Sequence, residues 1–123
     1  MSIKKLLLIE NDEDNQASIK FALESTDWKV LTAKDGVEGI TKAESERPDV
    51  ILLDFLLPNM DGLEVCEILK LNLFTCTIPI IFITAMAQQK MLAQLSASLA
   101  EGVILKPFDI DRLDSQITRI YNK

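Results

Sequence analysis

The sequence predicts an α/β fold, a parallel sheet wound on both sides by helices. Five short apolar runs recur along the chain, most of them continuous rather than alternating, as in strands covered on both faces. Segments with helical spacing of apolar residues separate them. Strand and helix signals alternate strictly, and that alternation implies a doubly wound sandwich.

The first run, Leu6–Ile9, leads directly into Glu10, Asn11, Asp12, Glu13 and Asp14, four acids and one amide. Residues 14–25 then carry Ala17, Ile19, Ala22 and Leu23 for a first helix, which stops near Ser25-Thr26-Asp27. Val30–Ala33 is the second run. Asp35-Gly36 opens a second helix, and Pro48 bounds it, because a residue before proline is pushed out of the α region. Val50–Leu53 is the third run. Asp61-Gly62 begins a third helix, with Leu63, Cys66, Ile68 and Leu69 expected to face inward. Ile80–Ile83 follows, then residues 87–99, where Met91, Leu92, Leu95 and Leu99 repeat at helical spacing. Val103–Leu105 is the last run. A fifth helix is expected from about Asp109 to Tyr121, with Ile110, Leu113, Ile117 and Ile120 on one stripe. These stripes read as core, and none is assigned a ligand.

A chain of 123 residues, 48% hydrophobic and 26% charged, fits one globular domain with a sizeable core. A single domain over residues 1–123, without an effector domain, is the expectation. The net charge of −6 argues against the basic footprint that nucleic acid or an anionic membrane requires. Cys66 and Cys76 form neither a metal spacing nor a disulfide framework and read as buried free thiols in a reducing compartment. Lys4 and Lys5 precede too few apolar residues for a signal peptide. The uncharged stretch between Lys70 and Lys90 is interrupted by Asn72, Pro79, threonines and glutamines, which makes it a poor membrane span. A cytoplasmic location is expected.

Folds of this class place their sites beyond the carboxyl ends of the strands. Glu10, Asn11 and Asp12 follow the first strand, Asp54 the third, Thr84 the fourth and Lys106-Pro107 the fifth. Clustered oxygens suit magnesium, which prefers octahedral oxygen coordination and keeps several waters. A carboxylate can attack phosphorus, while a hydroxyl and an ammonium can hold the equatorial oxygens where transferred charge spreads. Any one of these residues alone is most simply a solvated loop residue or a helix cap; Asp12 and Asp14 both stand where they could cap the first helix. Their joint placement at the ends of four strands carries the inference.

These residues resemble a known family. "VILLDFLLPNMDGLEV" (Val50–Val65), "FITA" (Phe82–Ala85) and "LKPF" (Leu105–Phe108) are similar to the receiver domain of two-component response regulators, and the resemblance covers essentially the whole chain. It implies a flavodoxin-like sheet of order 2-1-3-4-5 with five flanking helices. It implies that Asp54 accepts a phosphoryl group from a histidine kinase or phosphotransfer protein, and that Thr84 and Lys106 bind the phosphate. It implies magnesium held by Glu10, Asn11, Asp54 and the main-chain carbonyl of Leu56, and a cis peptide between Lys106 and Pro107. The first helix and the loop after Lys106 would dock the donor. The fourth helix, fifth strand and fifth helix would face an unknown downstream protein through Gln88, Gln89, Lys90, Gln94, Arg112, Gln116 and Arg119. Neither nucleic acid nor membrane is an expected partner, and no enzyme activity is expected beyond the domain's own phosphorylation and dephosphorylation.

The sequence departs from the family pattern at several positions. Asn11 stands where a second acid is usual; a register shifted by one would make Asp12 the second member, but inserts a residue after Ile9. An amide there is expected to cost roughly 1–3 kcal/mol of magnesium affinity, about one to two decades. Val103 replaces the aromatic partner of the Thr84 switch, and Leu99 replaces a glycine that ends the fourth helix. Leu56 and Met86, both bulky and apolar, occupy positions that tune access of hydrolytic water, so slow loss of the phosphoryl group is expected. Asn11, Val103 and Leu99 together motivate a second reading, an atypical receiver acting as a phosphorylation-independent interaction module. An aspartyl phosphatase is disfavoured because no Asp-x-Asp follows the first strand. A nucleotide-binding module is disfavoured because no glycine-rich phosphate loop does.

Overall fold

The computed structural model describes residues 4–85, 93–94, 98–106 and 109–122. The elements run β1 (Lys4–Ile9), α1 (Glu13–Glu24), β2 (Trp28–Ala33), α2 (Gly36–Glu46), β3 (Val50–Asp54), α3 (Gly62–Leu71), β4 (Ile80–Thr84), β5 (Gly102–Leu105) and α4 (Ile110–Tyr121). All strand pairings are parallel, in the order β2-β1-β3-β4-β5. The fold class and strand order are those expected. The described residues form four of the five expected helices. Of the segment expected to be helical over 87–99, Gln94 and its preceding neighbour are helical, Ser98 and Leu99 form a bend, and the rest lies outside the described residues.

Alternation along each strand divides the core in two. Leu7, Ile9, Ile51, Leu53, Ile80 and Phe82 pack against Ala43 of α2 and Val65, Cys66 and Leu69 of α3. Leu6, Leu8, Val50, Leu52, Ile81, Ile83 and Ile104 face the other way, onto Ile19 and Leu23 of α1 and Leu113 and Ile117 of α4. Burying both faces explains why the strand sequences are continuously apolar. β1 and β2 nonetheless extend into Lys4, Lys5 and Lys29. These lysines keep the ladder (Lys4 with the buried Trp28, Lys5 with Lys29) although their own side chains break the apolar pattern.

The helices begin where capping side chains sit. Asp12, Asp35, Asp61 and Asp109 each accept a hydrogen bond from a backbone N–H of the first turn. α2 ends on Arg47, whose φ of 46° places a non-glycine residue in the left-handed region just before Pro48. Three inward expectations are corrected: Ile68 and Ala17 are exposed, and Cys76 is half-buried. Among the described residues the positive φ values outside glycine belong to Arg47 and Asn59, so Leu99 is not a left-handed cap.

Candidate functional site

The parallel sheet aims the ends of β1, β3, β4 and β5 at one rim, and the register fixes who meets there. Ile9 pairs with Leu53, so Glu10 and Asp54 emerge side by side. Asp54 pairs with Ile83, and Thr84 follows at once. Thr84 pairs with Leu105, and the Lys106 N–H closes the ladder on the Thr84 carbonyl at 2.7 Å.

Glu10 and Asp54 are both buried, 2% and 8% exposed, as is Thr84 at 1%. Burial at this rim is imposed by close packing below it. Gly62 opens α3 directly beneath the end of β3, and a Cβ there would lie 2.8 Å from the Asp54 carbonyl oxygen and 2.9 Å from Phe55 Cα. Only a residue without a side chain permits that approach. The Gly62 N–H also donates to the Phe55 carbonyl at 3.0 Å, which ties the helix start to the strand end.

Glu10 is held from several directions. Its N–H donates to the Ala33 carbonyl at 2.9 Å. Gln16 Nε2, from the first turns of α1, donates to the carbonyls of both Glu10 (2.5 Å) and Ala33 (3.2 Å). Glu10 Oε2 accepts from the Asp12 N–H at 3.1 Å and Glu10 Oε1 from Lys106 Nζ at 3.2 Å. Asp54 Oδ1 accepts from the Leu56 N–H at 3.2 Å, and its Oδ2 stands 3.8 Å from Lys106 Nζ. The ammonium is therefore nearer to Glu10 than to Asp54.

Two carboxylates and one ammonium leave the pocket short of positive charge. Burial pushes the Asp54 carboxyl up to about 6, helped by a hydrogen bond to Glu10 and by its negative charge; Lys106 and the Leu56 N–H pull in the opposite direction. A carboxyl perturbed in this way by desolvation and a like charge marks a candidate functional group.

The remaining predicted residues divide. Asn11 and Asp12 are exposed. Asp12 uses Oδ1 to accept from the N–H groups of Asp14 (2.8 Å) and Asn15 (3.2 Å), so this carboxylate is engaged as the cap of α1. Among the described residues, no three His, Cys, Asp or Glu side chains gather into a metal cage. The donors at the rim are oxygens: two carboxylates, the Asn11 amide and main-chain carbonyls. That set fits magnesium, which binds through one or two carboxylates and retains water. Leu56 presents an exposed side chain beside Asp54. Val103 is half-buried and packs against the α2–α3 side of the core. The Lys106–Pro107 peptide, Met86, Gln88, Gln89 and Lys90 lie outside the described residues. Sequence reasoning missed Gln16, whose double clamp on Glu10 and Ala33 has no signature beyond a polar residue early in a helix.

The model of the response regulator receiver domain family matches residues 6–118. The chain belongs to that family. This receiver is 33% identical over 121 residues to the alkaline phosphatase synthesis transcriptional regulatory protein PhoP of Bacillus subtilis, a match covering 98% of this chain and 49% of the relative. It is 39% identical over 114 residues to the response regulator ArlR of Staphylococcus saprophyticus, covering 92% of this chain and 50% of the relative. The receiver thus spans about half the length of these curated relatives. Among solved structures, the receiver domain of a Pseudomonas aeruginosa sensor histidine kinase superposes with a TM-score of 0.90 at 28% identity, covering 99% of this chain and 100% of that one. That structure has a magnesium ion coordinated in its active site cleft. The chemotaxis response regulator CheY4 of Vibrio cholerae gives 0.90 at 26% identity, covering 97% of this receiver and 99% of that chain.

Proposed function

We propose that this receiver takes a phosphoryl group on Asp54 in a magnesium-dependent step of a two-component relay and signals through protein contacts. The observation that carries this reading is the convergence of a buried Asp54 with Glu10 and Lys106 at the carboxyl rim. An Asp54 oxygen forms a bond to phosphorus as the donor's bond to phosphorus breaks. With a phosphohistidine donor, the bonding electrons leave on the imidazole nitrogen. Lys106 neutralises charge on the transferred group, and Thr84, at the end of the neighbouring strand, offers its hydroxyl to the same group. Glu10, Asn11, Asp54 and the Leu56 carbonyl would hold the magnesium, which supplies charge neutralisation at the phosphoryl oxygens when bound. Asn11 lowers that affinity relative to an acid. Leu56 and Met86 slow hydrolysis of the product.

The donor is a histidine kinase or phosphotransfer protein, and the downstream partner is a protein. The curated relatives are named as transcriptional regulators, but this stretch, with its net charge of −6, engages proteins rather than nucleic acid or membrane. Among the described residues no helix is long and apolar enough to cross a membrane.

Intact-mass measurement after incubation with magnesium and acetyl phosphate tests the reading. A single phosphoryl adduct that is absent from Asp54→Ala supports it, and no adduct at saturating donor overturns it. The second reading, a phosphorylation-independent interaction module, is favoured by the exposed Asn11 and by Val103, half-buried against the core; it is the conclusion if no adduct forms.

A further inference from the structure

The acids of the rim are already engaged by the protein itself. Glu10 Oε1 accepts from Lys106 Nζ and Oε2 from the Asp12 N–H. Asp54 Oδ1 accepts from the Leu56 N–H, and Asp12 Oδ1 is taken by the first turn of α1. Lys106 stands 3.2 Å from Glu10 and 3.8 Å from Asp54, so it makes a hydrogen bond to the first and a longer ion pair with the second. Glutamate is one methylene longer than aspartate, and that extra length lets the residue just after β1 reach an ammonium held just after β5, across β3 and β4. Gln16 and Ala33 fix the Glu10 backbone, so that reach is directed rather than loose.

We infer that Glu10 is a positioning residue that draws Lys106 closer to itself than to Asp54, making the ammonium a built-in competitor for any divalent cation the rim would bind. This rests on the magnesium reading given above. With Asn11 neutral, Glu10 and Asp54 are the buried carboxylates at the rim, and both already face one internal cation, Glu10 at hydrogen-bond distance and Asp54 beyond it. A metal ion gains Glu10 only as Lys106 lets go, and Lys106 becomes available to a phosphoryl group by the same release. The side-chain length at position 10, rather than its charge, sets how readily that exchange occurs.

The test is a cycle of four proteins: wild type, Glu10→Asp, Lys106→Met and the double variant. Magnesium affinity is measured by calorimetry, without phosphodonor. Glu10→Asp keeps the charge and shortens the reach. It should tighten magnesium binding roughly three- to tenfold when Lys106 is present and by less than about twofold when Lys106 is methionine, because contacting residues couple whereas independent ones add. Equal effects in the two backgrounds would overturn the competition. Urea unfolding of the same four proteins in chelator reads the grip itself. A coupling of roughly fivefold or more in the unfolding equilibrium constant is expected, and additivity there overturns the hold of Glu10 on Lys106. Absence of magnesium binding in all four would instead overturn the cation reading and the competition with it, while the chelated cycle still decides whether Glu10 holds the lysine.

Discussion

Lys70 and Lys106 each meet a glutamate at one end of the β4–β5 pair, Lys70 below the amino ends and Lys106 at the carboxyl ends, and the two arrangements differ in how completely they are satisfied. Lys70 Nζ lies 2.8 Å from Glu101 Oε2, 2.9 Å from the Ile78 carbonyl and 3.4 Å from the Cys76 carbonyl, with its side chain 5% exposed. Three donors find three acceptors. Glu101 spends its other oxygen on the Ile80 N–H at 2.8 Å, so the pair staples the start of β4 to the approach to β5. Lys106 instead serves two acids, one at hydrogen-bond distance and one beyond it. A lysine with a full set of partners is architecture. One divided between two buried carboxylates leaves a surplus of negative charge, and that surplus is what a cation or a phosphoryl transfer can use.

The contrast is broken most directly at its satisfied end. Lys70→Met leaves the Glu101 carboxylate and two carbonyls without their donor and is expected to lower the unfolding free energy by roughly 2–4 kcal/mol, read by urea denaturation. Lys106→Met should cost less, since Asp54 can take up a proton in place of the lost ammonium; equal losses would erase the distinction.

Next in size is the surplus charge itself. Asp54 holds its proton up to about pH 6 in the folded chain, against an ordinary value of 3.8. The folded state therefore binds the extra proton between those values. Its contribution to stability is full below about pH 4 and is lost as the pH rises through about 6, on the order of 2–3 kcal/mol. Asp54→Asn should remove that slope and stabilise the chelated protein at neutral pH by roughly 1–3 kcal/mol. Paired unfolding curves at several pH values check this; parallel profiles for the two proteins would contradict it.

Gly62→Ala tests whether the packing under β3 holds the acid in place. Its Cβ meets backbone rather than a side chain that could swing aside, so a cost of roughly 1–2 kcal/mol is expected, together with slower phosphoryl uptake by intact mass. The smallest effect belongs to Asp12→Ala. Loss of the α1 cap should cost about 1 kcal/mol while leaving magnesium affinity unchanged within about twofold. A large drop in affinity would return Asp12 to the metal pair.

Much of this was visible in the chain before any coordinates. Continuous apolar runs gave the five strands because both faces of the sheet are covered, and Asp35, Asp61 and Asp109 marked where three helices begin. The rim could be assembled in outline, since parallel strands must deliver Glu10, Asp54, Thr84 and Lys106 to one edge. What sequence could not show was the partition of contacts. Nothing in the residue order says that Lys106 leans toward Glu10, that Asp12 is engaged as a cap, or that Lys70 reaches Glu101, 31 positions away. Such pairings depend on side-chain reach and on register, which are properties of the packed sheet. Ile68 illustrates the same limit: its spacing on α3 suited the core, yet Val65, Cys66 and Leu69 fill that face and leave Ile68 outside.

The place of β5 in the sheet bears on how Lys106 can move. β3, which carries Asp54, has neighbours on both sides, whereas β5 pairs with β4 alone and is four residues long. Shifting the tip of a marginal strand breaks ladder contacts on one flank only, whereas shifting Asp54 would disturb two. The nucleophile candidate is thus mounted on a strand braced from both sides, and its counter-charge hangs from the hem.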